Sequence, residues 1–135
     1  MEDPRTALRH LLRARDSGEL AAVCSRYRIR LLTAFGSATS HTSNPHDLDI
    51  AVMFDDSGGD VLGLLDALSV IAESSELDLL DLRAAGPVAR ERALVGAVTL
   101  HEASPGVSTR AQMAAVAERM DTEWLRQLDL ELMAR

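Results

Sequence analysis

The chain contains no lysine, a single cysteine, few aromatic residues and no long apolar run, and each lack removes a class of function. Without lysine there is no amine for a Schiff base and no phosphate-loop lysine, so both of those chemistries are excluded. Cys24 has no partner for an internal disulfide. It lies in the apolar stretch LAAVCSRY and reads as a small buried hydrophobe, with nothing pointing to an oxidising compartment. Aromatic residues make up 3% of the chain, and 21 acids against 14 arginines leave a net charge of -7. That balance argues against a surface that neutralises nucleic-acid phosphates and stacks bases, and suits a basic partner protein or bound divalent cations. No apolar run approaches the ~20 residues that cross a bilayer, and the opening MEDPRTALRHLLRARD is charged throughout, so the expected location is the cytoplasm.

What is present is a folding composition. The chain has 135 residues, 47% apolar and 26% charged, which predicts one domain spanning 1–135, with no room for a separate substrate domain. Asp3 followed by Pro4 is a helix start, and Leu8, Leu11 and Leu12 recur at helical spacing until Gly18, which predicts a helix over 4–16 and a shorter one over 19–27. IRLLTAF (29–35) reads as a buried strand. Residues 36–46, GSATSHTSNPH, hold only small, polar and turn-forming residues and read as a loop or a one-turn helix with a loop. In DLDIAVMF (47–54) Leu48, Ile50, Val52 and Phe54 take one face and Asp47, Asp49, Ala51 and Met53 the other, so a strand with one covered face is expected. An amphipathic helix follows from Val61, then a strand over 77–82, a helix opened by Gly86 and Pro87, and a short strand over 98–102. The tail, 108–135, carries Met113, Val116, Met120, Trp124, Leu128 and Leu132 at helical spacing. It reads as one long helix, or as two broken near Asp121, and is expected to pack on its own domain from Met113 to Met120 and to meet a partner beyond Asp121. The chain shows no repeat and no linker.

One constellation carries chemistry. Gly36 and Ser37 close a buried strand, and nine residues later Asp47, Leu48 and Asp49 open the next. Residues two apart on a strand point the same way, so Asp47 and Asp49 put two carboxylates side by side, where they repel unless a cation joins them. Oxygen ligands of this kind suit Mg²⁺, which takes one or two carboxylates together with a substrate's phosphate oxygens. An acid from a neighbouring strand, Asp78 or Asp81, would complete a site for two metals about 4 Å apart, the geometry of nucleotidyl transfer. Asp78 is the expected third member, because it follows the start of its strand and leaves Leu77 and Leu79 for the covered face. The absence of a Cβ at Gly36 lets a phosphate approach backbone amides, and Ser37 adds a hydroxyl donor. His41 and His46 lie in the same loop and read first as solvent-exposed and second as phosphate contacts, whereas His10 and His101 have no partner by spacing and read as structural.

On these residues the chain resembles the minimal nucleotidyltransferases of the DNA polymerase β superfamily. AFGSATSHTSNPHDLDIAVMF is similar to their first motif, and LDLLDLRAAGPVARERALVGAVTLHE to the segment with the third carboxylate, a helix and a closing strand; together they cover about 25–102. The resemblance implies an α+β fold, a small mixed sheet with helices packed on one face in a polymerase-β-type palm. It implies that Gly36 and Ser37 hold the triphosphate of ATP and that Asp47, Asp49 and Asp78 hold Mg²⁺ and serve catalysis. Members of this size resemble antitoxins that silence a HEPN-type ribonuclease toxin by adenylylating it, and the tail helix would fit a partner-binding element. Where many members carry Arg and Gly just after the Gly-Ser pair, this chain has Ala38, Thr39, Ser40 and His41. The alternatives are a module of the same fold that silences its partner by contact, and nucleotidyl transfer to a small molecule.

Overall fold

The computed structural model describes residues 3–39 and 47–134. Two helices open the chain, α1 (Pro4–Ser17) and α2 (Glu19–Arg26), followed by β1 (Ile29–Phe35) and a single 3-10 turn (Ser37–Thr39). Then come β2 (Leu48–Phe54), α3 (Val61–Ala72), β3 (Leu77–Asp81), α4 (Pro87–Leu94), β4 (Val98–Glu102) and the long α5 (Val107–Met133). The boundaries follow local chemistry. Asp3 accepts a hydrogen bond from the Arg5 N–H at 3.0 Å with Pro4 in the first turn, and Gly18, at φ +89°, ends α1 in the left-handed region. Asp60 caps α3 in the same way, accepting from the Gly63 N–H at 3.0 Å.

The strands form one mixed sheet in the order β3-β2-β1-β4, with β1 antiparallel to both β2 and β4, and β2 parallel to β3. The parallel pair is joined through α3, the crossover that such a pair requires. On one face, Leu32, Leu48, Ile50, Val52 and Leu100 pack with Leu11 of α1, Leu20 of α2 and Leu64 and Leu68 of α3 in the larger core. Cys24 is buried there, and burial pushes its thiol up to about 12. His10 is structural, its Nδ1 2.9 Å from the Ala72 carbonyl at the end of α3.

Helices on one face describe α1 to α3. The opposite face, expected to be uncovered, is partly covered as well: Leu31, Phe35 and Ala51 meet Ala93 and Leu94 of α4 and Val107 and Ala115 of α5. The tail also differs from expectation. Met113 and Met120 do not pack on the domain but are 67% and 66% exposed. Of the two arrangements expected for the tail, α5 takes the single long helix, unbroken past Asp121. The packed side of α5 is Val107, Ala111 and Ala115, four residues apart, because a helix that approaches closely needs small residues at the contact. Among the described residues no helix is long and apolar enough to cross a membrane.

Candidate active site

The site lies where β1 ends and β2 and β3 begin. Beyond Phe35 the chain turns at Gly36, whose φ of +79° is a conformation L side chains rarely adopt. The Thr39 N–H and hydroxyl both donate to the Gly36 carbonyl, at 3.2 and 2.8 Å, and buried Ala38 anchors the turn in the larger core. A Cβ at Gly36 would run into Asp49 Oδ2, so the glycine leaves the room that the carboxylate occupies.

Asp49 stands opposite Phe35 on β1 and level with Asp78 on β3, so three adjacent strands meet in one row. Burial holds the Asp49 carboxyl above its ordinary range, the Asp78 charge adds to the push, and Asp47 adds further, while the Arg92 guanidinium partly offsets them. A side-chain hydrogen bond between Asp49 and Asp78 acts in the upward direction too. Asp47 lies just before β2 and is exposed. Of the two candidates on β3, Asp78 is the one beside Asp49. Asp81 lies farther along the strand opposite Val52 and is held by Arg83 at 2.9 Å, which pulls its carboxyl below the ordinary range. His41 and His46 lie outside the described residues, and Ser37 sits half-buried in the turn.

A cavity of about 240 Å³ opens on this row, lined by Phe35, Asp49, Asp78, Leu80, Ala89 and Arg92. Arg92 is the member of the site that sequence reasoning did not single out. It comes from α4, with its guanidinium carbon 5.9 Å from the centre of the Phe35 ring.

Comparison with known proteins decides the family: the polymerase beta nucleotidyltransferase profile matches residues 19–105, most of the chain and all of the site. The chain belongs to the polymerase beta nucleotidyltransferases. No protein of curated function matches it. Among solved structures, this nucleotidyltransferase is similar to a chain of a toxin-antitoxin complex with AMP-PNP, at 20% identity and TM-score 0.66, covering 87% of this chain and 98% of that one. It is likewise similar to a chain of a tri-AMPylated Shewanella oneidensis HEPN toxin in complex with MNT antitoxin, at 18% identity and TM-score 0.64, covering 92% and 99%. A toxin-antitoxin MntA-HepT complex matches at 18% identity and TM-score 0.62, covering 87% and 96%. At these identities the likeness establishes the fold.

The donor set fits Mg²⁺ in a particular way. Among the described residues no three His, Cys, Asp or Glu side chains form a ready-made cage. Two level carboxylates with a third acid nearby match the habit of Mg²⁺, which is held by one or two carboxylates and completed by water and phosphate oxygens. The repulsion from Asp78 and Asp47, which adds to the effect of burial on Asp49, is the electrostatic counterpart of that fit, since a cation relieves it.

Proposed function

We propose that this nucleotidyltransferase is an antitoxin that transfers AMP from ATP, with Mg²⁺, to a hydroxyl of a partner HEPN toxin in the cytoplasm. The observation that carries the reading is the level pairing of Asp49 and Asp78 beside the Gly36 turn. The complexes with AMP-PNP and with an AMPylated HEPN toxin support the choice of nucleotide and of partner.

In this reading Asp47, Asp49 and Asp78 hold Mg²⁺, and Gly36 and Ser37 receive the triphosphate. The bound metal supplies positive charge that stabilises the phosphoryl oxygens as the transfer proceeds. The chain's own residues do the rest. The turn amides and the Ser37 hydroxyl orient the phosphates, and the Asp78 carboxylate, the more exposed of the pair, takes the proton of the toxin hydroxyl. The oxygen–α-phosphorus bond forms, the bond to the β-phosphate bridge breaks, and pyrophosphate leaves with its electron pair. The exposed face of α5, with Trp124 65% exposed, offers the toxin a docking surface and also makes contact-only silencing the second reading.

Incubation with Mg²⁺, ATP and the cognate HEPN toxin is expected to add AMP to the toxin in discrete mass steps read by intact mass spectrometry. Asp47→Ala and Asp78→Ala are expected to abolish the steps while the complex still forms. A wild-type complex that forms without any mass step would establish the contact-only module instead.

A further inference from the structure

The loop from Gly36 to Asp47 contains no arginine, and the chain has no lysine at all. A triphosphate carries more negative charge than one turn of backbone amides balances, and a guanidinium fork is a strong complement to phosphate oxygens. The arginines around the site differ in what already occupies them. Arg83 is bound to Asp81 at 2.9 Å. Arg90 is bound to Glu118 at 2.8 Å and to the Leu82 and Ala85 carbonyls at 2.7 and 3.0 Å, stapling the turn after β3 to α4 and α5. Arg92 is exposed and makes no hydrogen bond or ion pair among the described residues, yet it lines the same cavity as Asp49 and Asp78.

Its place is set by the fold. The next two residues, Ala93 and Leu94, are 0% and 2% exposed, and the buried Thr33 hydroxyl of β1 donates to the Ala93 carbonyl at 2.9 Å. The backbone one residue before that anchor cannot slide along the sheet. Contact with the Phe35 ring engages the guanidinium's charge and leaves its N–H donors free for an anion.

We infer that Arg92 is a substrate-binding residue that holds the nucleotide's phosphates from the α4 side of the cavity. The inference rests on the nucleotidyltransferase reading of the site and adds to it the cation that the Gly36 loop lacks.

The test is isothermal titration of the full chain in Mg²⁺ with ATP and, separately, with adenosine, for wild type, Arg92→Ala and Arg92→Lys, each checked for an unchanged melting temperature. Loss of a charge-assisted fork is expected to weaken ATP binding roughly 10- to 100-fold in Arg92→Ala. Adenosine binding should stay within about twofold, and Arg92→Lys, which keeps the charge without the fork, should fall between. ATP affinity in Arg92→Ala within about twofold of wild type would overturn the inference and leave the site reading standing, and so would an equal loss for ATP and adenosine, which would put Arg92 on the nucleoside. A wild-type chain that binds no nucleotide would overturn both. Should Arg92→Ala not fold, Arg92→Lys and Arg92→Gln give the same reading.

Discussion

Gly36 offers a prediction that separates two physical costs. Replacing it by alanine forces an L residue to φ +79°, and the new Cβ meets Asp49 Oδ2. The backbone cost of the left-handed region is about 1–2 kcal/mol. The collision is of another kind, because the carboxylate is the end of a short side chain and can turn aside, but its Cγ lies only 3.2 Å from the new methyl and must also give way. Stability should therefore fall by at least the backbone cost of about 1–2 kcal/mol, or roughly 3–10 °C in melting temperature for a chain of this size, with the collision adding to it. Function should fall much further, since the displaced group is one that the proposed site uses to hold a cation. A double-mutant cycle with Asp49→Ala isolates the two parts. In the Asp49→Ala background Gly36→Ala should cost only the backbone term, and the difference between backgrounds measures the collision. The assay is thermal melting of the four proteins in metal-free buffer, with ATP titration in Mg²⁺ for Gly36→Ala alone. A loss under about 0.5 kcal/mol in both backgrounds would refute the claim that the turn needs glycine. Intact ATP binding in Gly36→Ala would refute the claim that the methyl displaces Asp49.

Asp49→Asn should abolish Mg²⁺-dependent nucleotide binding while leaving the melting temperature in metal-free buffer equal or higher, because it removes a charge that burial and Asp78 both oppose. The same shift sets a pH dependence. A carboxyl raised above 3.8 keeps more protons folded than unfolded, so the Asp49 contribution to stability should fall as pH rises from about 4 through the raised value, and Asp49→Asn should remove that contribution. Melting curves in chelator from pH 4 to 7 test it, and a wild type that gains stability over that window relative to Asp49→Asn would contradict the sign. Thr33→Val leaves the buried Ala93 carbonyl without its donor and should cost about 1–3 kcal/mol by chemical denaturation; an unchanged midpoint would mean the bond does not anchor α4. Removing 122–135 deletes a segment whose apolar residues are mostly exposed, so stability should change by less than about 1 kcal/mol while toxin binding, read by co-purification, is lost. Aggregation of the shortened chain, or full toxin binding by it, would count against α5 as the docking surface.

Most element boundaries were legible because they are written in local chemistry. Asp3, Pro4 and Gly18 frame α1, and the alternation of Leu48, Ile50, Val52 and Phe54 marks β2 over the residues it occupies. The burial of α5 was not legible, for a physical reason. The large apolar residues at helical spacing suggested a core face, yet Met113 and Met120 point to solvent while Ala111 and Ala115 make the contact. Close helix packing selects small side chains, and small side chains give almost no hydrophobic signal. Arg92 was hidden for a related reason, since α4 has only eight residues and its register on the sheet is set by the tertiary Thr33–Ala93 bond.

The level pairing of Asp49 and Asp78 is a long-range feature that could nevertheless be read from short-range pattern. Each strand begins with Leu-Asp, Leu48 and Asp49 in β2, Leu77 and Asp78 in β3. In each, the leucine faces the larger core, so the following acid must face the other way. A parallel pair starts at the same end of the sheet, so leucines that enter one core side by side bring the acids behind them level as well, as Leu48 opposite Leu77 and Asp49 opposite Asp78. Slipping β3 by one residue would turn Asp78 into the core and Leu77 out of it, which the packing of half-buried Leu77 against the larger core opposes. The repulsion between the acids is thus held in place by apolar packing on the far side of the same strands. Relieving it, by Mg²⁺ or by Asp49→Asn, should therefore cost the core nothing.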